Sequence, residues 1–280
     1  MTLHRLARTW EALGRDDPFW AVLTEQEQRG GKWDPEVFFA TGVAEMKQLA
    51  VELERRGLRL GGARALDFGC GVGRITQALA DHFERVDGVD ISAPMLEQAR
   101  RFNARGEVCH FAENRCPDLR LFDDGQFDFV YSRIVLQHMP VQMARRYLEE
   151  FCRVLRPGGL LYFQIPAGWN LSSPVIHELL RHHVTKPRRL YKLLRRVVML
   201  DWFRSPEWQK QRRQEMEMHF CPLPQVVRLL ERHGLEVSAI QRDDACGESV
   251  LSYNFLAVKP KQPAAKLHSD WAWRKLSLPK

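Results

Sequence analysis

Apolar side chains recur along this chain at two spacings, in short nearly unbroken runs and at every third or fourth position. The runs predict strands at Arg64–Phe68, in V-D-G-V-D ending at Asp90, at Val108–Phe111, at Gln126–Ser132, in L-L-Y-F-Q-I-P from Leu160 to Pro166, at Leu235–Gln241 and at Val250–Val258. Between them Ile75, Ala78, Leu79 and His82 fall at helical spacing, and Ser92 caps a helix opening with A-P-M-L-E-Q-A-R. A helix closes over Leu148–Leu155, with Pro157-Gly158-Gly159 as its stop and turn, and another covers Leu223–His233. Strand and helix alternating in this way imply an α/β chain with a parallel sheet and with ligands at the carboxyl ends of the strands.

Three segments stand outside that alternation. Residues 1–60 read as an N-terminal helical extension: Leu3, Leu6, Ala7, Trp10 and Leu13 have helical spacing, and D-P-F-W-A-V-L-T follows as a compact apolar element. Asp34 then caps, and Pro35 starts, a helix carrying Phe38, Phe39, Val43, Met46, Leu49, Ala50 and Leu53 on one side and ending near Gly57. Residues 61–260 hold the alternating domain, interrupted from about Ala167 to Cys221, and residues 261–280, with Pro263, Trp271 and Trp273, form a tail. Within the insertion Leu190, Leu193, Leu194, Val197 and Val198 make an apolar stripe, while Arg188, Arg189, Lys192, Arg195 and Arg196 cover the other side.

Charge sharpens this picture once it is located. The chain carries a net +7, yet Arg181–Arg213 alone holds eleven Lys or Arg against Asp201 and Glu207, so the basic character belongs to the insertion. Its helix, at 187–200, reads either as a lid with a solvated charged face or as a docking surface for an anionic acceptor, a carrier or a membrane surface. No apolar run approaches a membrane span and no apolar signal segment opens the chain, so a cytoplasmic protein is expected. The six cysteines form no C-x-x-C pair, which predicts reduced thiols and no metal site.

The chemistry concentrates in A-L-D-F-G-C-G-V-G-R, Ala65 to Arg74. Glycine at 69, 71 and 73 lets the backbone take positive φ where strand passes to helix, so that a ligand can lie against the main chain and the helix N-terminus. The spacing G-x-G-x-G departs from the dinucleotide pattern G-x-G-x-x-G, whereas Asp90 ends the second strand where a carboxylate accepts ribose hydroxyls. These two motifs, with R-V-L-R-P-G-G farther on, resemble the class I S-adenosylmethionine (SAM) dependent methyltransferases. The resemblance implies a Rossmann-like, doubly wound, mostly parallel seven-stranded sheet with helices on both faces. It also implies SAM as cofactor and S-adenosylhomocysteine as product.

Carried onto this sequence, the resemblance assigns Asp67, Gly69, Cys70, Gly71 and Gly73 to the cofactor turn and Asp90 to the ribose. Ile91 and Met95 then meet the adenine ring, Asn114 (in preference to Glu113) meets the adenine amino group, and Ser132 ends the fourth strand beside the cofactor. Leading helices close over the methionine end in this family, which makes Trp33–Gly42 a candidate lid. Acceptor-facing residues follow the fourth strand, so His138 is the first candidate base, with His219 weaker, and Tyr131 and Arg133 face substrate. No N-P-P-Y-like sequence and no Pro-Cys pair follows that strand, which disfavours DNA methylation. The expected function is methyl transfer to a small-molecule acceptor, a hydroxyl of a sugar, glycan, lipid-linked molecule or natural product, with an anionic acceptor expected if the basic helix takes part. The alternatives are a non-catalytic SAM-binding protein and an RNA methyltransferase using the basic insertion. For the latter, Tyr191, Trp202 and Trp208 are available locally for stacking.

Overall fold

A computed structural model of the chain describes residues 2–173 and 218–261. The basic helix at 187–200 and the tail residues 262–280 lie outside the described residues. The chain opens with helices α1 (Leu3–Asp16), α2 (Pro18–Val22) and α3 (Pro35–Arg55). Helix α3 begins where the spacing predicts, because the Asp34 carboxylate accepts a hydrogen bond from Val37 N at 3.0 Å and Pro35 needs no N–H partner at the first position.

The alternating part follows as β1 (Gly62–Phe68), α4 (Arg74–Leu79), β2 (Phe83–Asp90), α5 (Ala93–Arg101), β3 (Cys109–Glu113), β4 (Phe127–Ser132), α6 (Val141–Val154) and β5 (Leu155–Trp169), then α7 (Leu223–Arg232), β6 (Glu236–Asp243) and β7 (Val250–Val258). The seven strands form one sheet in the order β3-β2-β1-β4-β5-β7-β6, with β7 antiparallel to both its neighbours and the rest parallel. Chain order reverses between β1 and β4, and the carboxyl ends of the parallel strands open a crevice there.

Both faces of the sheet are buried, as the unbroken apolar runs require. One face packs Leu66, Val130, Phe163 and Phe255 against Leu148 and Phe151 of α6 and Leu230 of α7. The other packs Val86, Phe129 and Tyr131 against Met46, Leu49 and Leu53 of α3 and Ile75 and Leu79 of α4. A smaller cluster of Leu13, Ala21, Trp33, Phe38, Val72 and Met95 fastens the N-terminal helices beside the glycine turn.

One boundary differs from the sequence reading. Pro157-Gly158-Gly159 does not separate a helix from a strand, because β5 has already begun at Leu155, opposite Phe127 of β4. The register then jumps, so that Phe129 faces Leu160. The tetrapeptide R-P-G-G is an interruption inside the strand, with Gly158 at φ 82° and Lys259 N donating to Gly159 O at 3.0 Å to resume the pairing.

Candidate functional site

A cavity with about 830 Å³ of atom-free space, its open mouth included, lies at the carboxyl ends of β1, β2 and β4. Gly69 and Gly71 form its floor, Asp90, Ile91 and Met95 one wall, and Asn114 its edge beyond β3. Arg133, Ile134, Val135, His138 and Met139 descend from the end of β4. The roof comes from α1 and α2, through Leu3, Leu6, Trp10, Ala21 and Val22. The expected lid, Trp33–Gly42, is not part of this lining. Trp33 and Phe38 stand one layer behind, edge to face with ring centroids 5.5 Å apart.

The glycines of the turn are demanded by shape as much as by backbone angle. Gly69 sits at φ 77°, and a Cβ there would come within 2.3 Å of Val135 Cγ2. Gly71, at φ 53°, would bring a Cβ within 2.7 Å of Val22. Both contacts are far inside van der Waals distance, so the walls have closed up to the bare main chain.

Asp90 reaches this turn from the neighbouring strand. Its Oδ2 accepts from Gly71 N at 2.9 Å and its Oδ1 from Ser92 N at 2.8 Å. Burial raises its pKa despite those N–H groups. Each carboxylate oxygen retains acceptor capacity after one such bond, so the residue suits a pair of ligand hydroxyls. Asn114 is tied back by its own loop, its amide donating to Asp118 O at 2.8 Å and accepting from Cys116 N at 3.0 Å. Glu113 points elsewhere, paired with Arg115. The remaining turn residues support the floor from below. Cys70 is buried, Gly73 is the left-handed cap of α4, and Ser132 is buried with no hydrogen-bond partner for its hydroxyl among the described residues.

Asp67 lies directly beneath, its Oδ2 accepting from Thr76 Oγ1 at 2.6 Å. Burial pushes its carboxyl up to about 7, against the opposing Thr76 hydrogen bond and the Arg74 charge. The folded protein therefore binds a proton here over a range where the unfolded chain, near 3.8, does not. The sign follows: stability from this group is greatest below about pH 4 and is lost as pH rises through about 7. Asp67→Asn keeps an acceptor for Thr76 and removes the titration. The variant is expected to flatten the dependence of melting temperature on pH between about 4 and 8, gaining at most roughly 4 kcal/mol at the alkaline end. Melting curves that stay parallel across that range would refute the assignment.

Beside the floor lies a charge network absent from the sequence reading. Glu45 of α3 accepts from Arg74 at 2.8 Å, pairs with Arg133 at 3.0 Å and accepts from the Tyr131 hydroxyl, while Arg133 reaches Asp243 of β6 at 2.8 Å. Burial opposes the charge on Glu45, but the two guanidiniums and the Tyr131 hydroxyl outweigh it and hold the carboxyl below its ordinary range. Tyr131 and Arg133, expected to face substrate, are thus engaged within the protein. Arg133 still borders the cavity, whereas Tyr131 is buried in the core with its pKa pushed well up, burial foremost.

His138 is buried at the cavity wall, its ring edge-on to Trp10 at 5.1 Å between centroids and its Nε2 3.2 Å from the Gln137 side-chain nitrogen. His219 is not part of the lining; its backbone N–H donates to Gln137 O at 2.7 Å. Among the described residues no group of His, Cys, Asp or Glu is arranged to hold a metal ion, and no helix is long and apolar enough to cross a membrane.

Comparison with known proteins points the same way. A family model described as "Methyltransferase domain" matches residues 66–163. The 2-methyl-6-phytyl-1,4-hydroquinone methyltransferase of Synechocystis is 34% identical over 110 residues, 39% of this chain and 33% of that protein. The ubiquinone biosynthesis O-methyltransferase of Coxiella burnetii is 30% identical over 108 residues, 38% of this chain and 44% of that protein. The matches thus span a third to under half of those relatives' lengths. Among solved structures, magnesium protoporphyrin IX methyltransferase from Synechocystis superposes with a TM-score of 0.58 at 18% identity, covering 91% of this chain and 98% of that one. A putative sarcosine dimethylglycine methyltransferase from Galdieria sulphuraria gives 0.56 at 15% identity, with 90% and 99% covered. At such identities the likeness is one of fold.

Proposed function

We propose that this chain, whose residues 66–163 match the methyltransferase domain family and lie in a class I methyltransferase fold, transfers a methyl group from SAM to a hydroxyl on an apolar small molecule. The observation that carries the reading is the convergence of Gly69, Gly71, Asp90 and Asn114 on one cavity that continues, past the end of β4, between Val135, Met139, Leu3 and Leu6. Its polar half suits a ribose and an adenine, and its apolar half suits an acceptor with little charge. The partial likeness to a 2-methyl-6-phytyl-1,4-hydroquinone methyltransferase and to a ubiquinone biosynthesis O-methyltransferase supports such an acceptor. A lipid-linked or natural-product hydroxyl remains the class we favour.

When bound, SAM supplies a methyl group already activated on a positively charged sulfur. The chain's own task is then placement and exclusion of water. Asp90 holds the ribose hydroxyls, Ile91 and Met95 flank the adenine, and the roof of Leu3, Leu6 and Trp10 keeps solvent from the reacting atoms. A hydroxyl acceptor would have to give up its proton as the methyl group arrives, and His138 at the cavity wall is the candidate to receive it.

Calorimetry with SAM and S-adenosylhomocysteine tests the first half of this reading. A charged acceptor contributes on the order of 1.5 to 3 kcal/mol, so Asp90→Ala is expected to weaken both ligands roughly ten- to a hundredfold. Equal affinity in the two proteins would remove Asp90 from the site. Mass spectrometry of cell extract incubated with methyl-labelled SAM tests the second half. Tight binding with no labelled product from any hydroxyl compound would leave a SAM-binding protein without turnover.

A further inference from the structure

A bound SAM would bring a fixed positive charge on sulfur into a cavity that has little to meet it. Among the described residues that border the cavity, Asp90 is the one acidic side chain, while Arg74 and Arg133 are both cations. The Asp90 oxygens accept from Gly71 N and Ser92 N, and their remaining capacity falls to ribose hydroxyls. In such surroundings a cation is favoured by the electron-rich face of an aromatic ring. The rings at hand are unequal. Phe68 and Tyr147 are buried against each other with centroids 4.5 Å apart, and Phe68 also packs on Phe151 at 5.0 Å. Trp10 is only partly buried and belongs to the roof.

The place of Trp10 is set by α5. Ser92 N donates to Asp90 Oδ1 at 2.8 Å and Ser92 Oγ donates to Trp10 O at 3.1 Å, so one residue joins the ribose carboxylate to Trp10. One turn farther along α1, a Cβ on Gly14 would come within 3.1 Å of both Met95 Cγ and Ser92 Oγ, so α1 lies hard against α5 there. The Trp10 ring reaches toward the end of β4, where its centroid is 5.1 Å from that of the His138 ring. Trp10 thus spans the interval between the ribose carboxylate and the acceptor half of the cavity. The sulfur of SAM is joined to the ribose through a single methylene, which puts it in that interval. We infer that Trp10 is a specificity-determining residue that recognises the positive sulfur of SAM and so distinguishes the methyl donor from its product. The inference rests on the methyltransferase reading above. Once the methyl group has left, the sulfur is a neutral thioether, so S-adenosylhomocysteine keeps the ribose and adenine contacts and loses this one.

Calorimetry of the full-length protein with SAM and with S-adenosylhomocysteine gives the ratio of their dissociation constants, and that ratio is the readout. Trp10→Leu keeps an apolar side chain on the roof and removes the π face. It is expected to shift the ratio about three- to thirtyfold against SAM. Trp10→Phe keeps a smaller π face, is expected to fall between, and carries the test should the leucine variant not fold. Sinefungin, which has an ammonium-bearing carbon in place of the methylated sulfur, is expected to weaken in step with SAM, and this separates the charge from the extra methyl group. Equal weakening of all three ligands in both variants would make Trp10 a packing residue of the roof and overturn the inference. So would a loss confined to SAM, which would assign Trp10 to the methyl group and not to the charge. If the wild-type protein binds none of the three, the cofactor reading itself falls and this inference with it, a result distinct from an unchanged ratio.

Discussion

Gly69→Ala is expected to abolish SAM binding at any practical concentration and to lower the melting temperature by about 10 °C. Two costs combine. An alanine at φ 77° carries roughly 1 to 2 kcal/mol of backbone strain. Its methyl also lies 2.3 Å from one Val135 methyl and 2.6 Å from the other, so the loop following β4 must retreat or the floor must tilt. A total of about 3 kcal/mol corresponds to a shift of this size in a domain of some two hundred residues. Gly30→Ala separates the two contributions, because Gly30 has φ 87° and open space around its Cβ position. That variant should lose only about 1 kcal/mol and keep full affinity. Differential scanning fluorimetry with and without SAM compares the pair directly, and a Gly69→Ala protein that binds as wild type would mean that the ligand does not lie on this turn.

The second large effect concerns Glu45. Truncation to alanine leaves Arg74 and Arg133 without their shared carboxylate and leaves the Tyr131 hydroxyl unsatisfied at the boundary of the core. Removing one partner from a largely buried charge network costs on the order of 3 kcal/mol, far more than a surface pair would. Glu45→Gln, which keeps hydrogen bonding but not charge, should lose less. Because the folded carboxyl lies below its unfolded value near 4.5, its contribution is fully present above that pH and disappears as pH falls through the folded value. Urea denaturation at about pH 7 and again at about pH 3 tests both size and sign: the gap between wild type and Glu45→Ala should narrow in acid. A gap independent of pH would show that packing, and not charge, is what Glu45 supplies.

The frame of this fold was readable from local pattern alone. β7 runs from Val250 to Val258 as its apolar alternation indicates, and the glycine turn follows β1 where positive φ is needed. Asp90 was in view because it ends a strand, where the fold type itself says a ligand will lie, and Asn114 only through the methyltransferase resemblance. Glu45 was invisible for the opposite reason. A single glutamate on an amphipathic helix looks like solvated surface until Arg74, Tyr131 and Arg133 are brought to it by the sheet. Leu3, Leu6 and Trp10 had the right spacing for a helix, but helical spacing says which side is buried without saying against what.

The ends of the segment joining β5 to α7 are gathered together. Trp169 and Phe220 meet with ring centroids 5.0 Å apart, Cys221 N donates to Pro166 O at 2.8 Å, and Asn170 N donates to Ser249 O at 2.9 Å. The chain therefore leaves the sheet and rejoins it through one doorway. Whatever sequence lies between those anchors must therefore begin and end at neighbouring points of the same sheet edge, and Trp169→Ala or Phe220→Ala would loosen that fixed spacing without touching the glycine turn or Asp90.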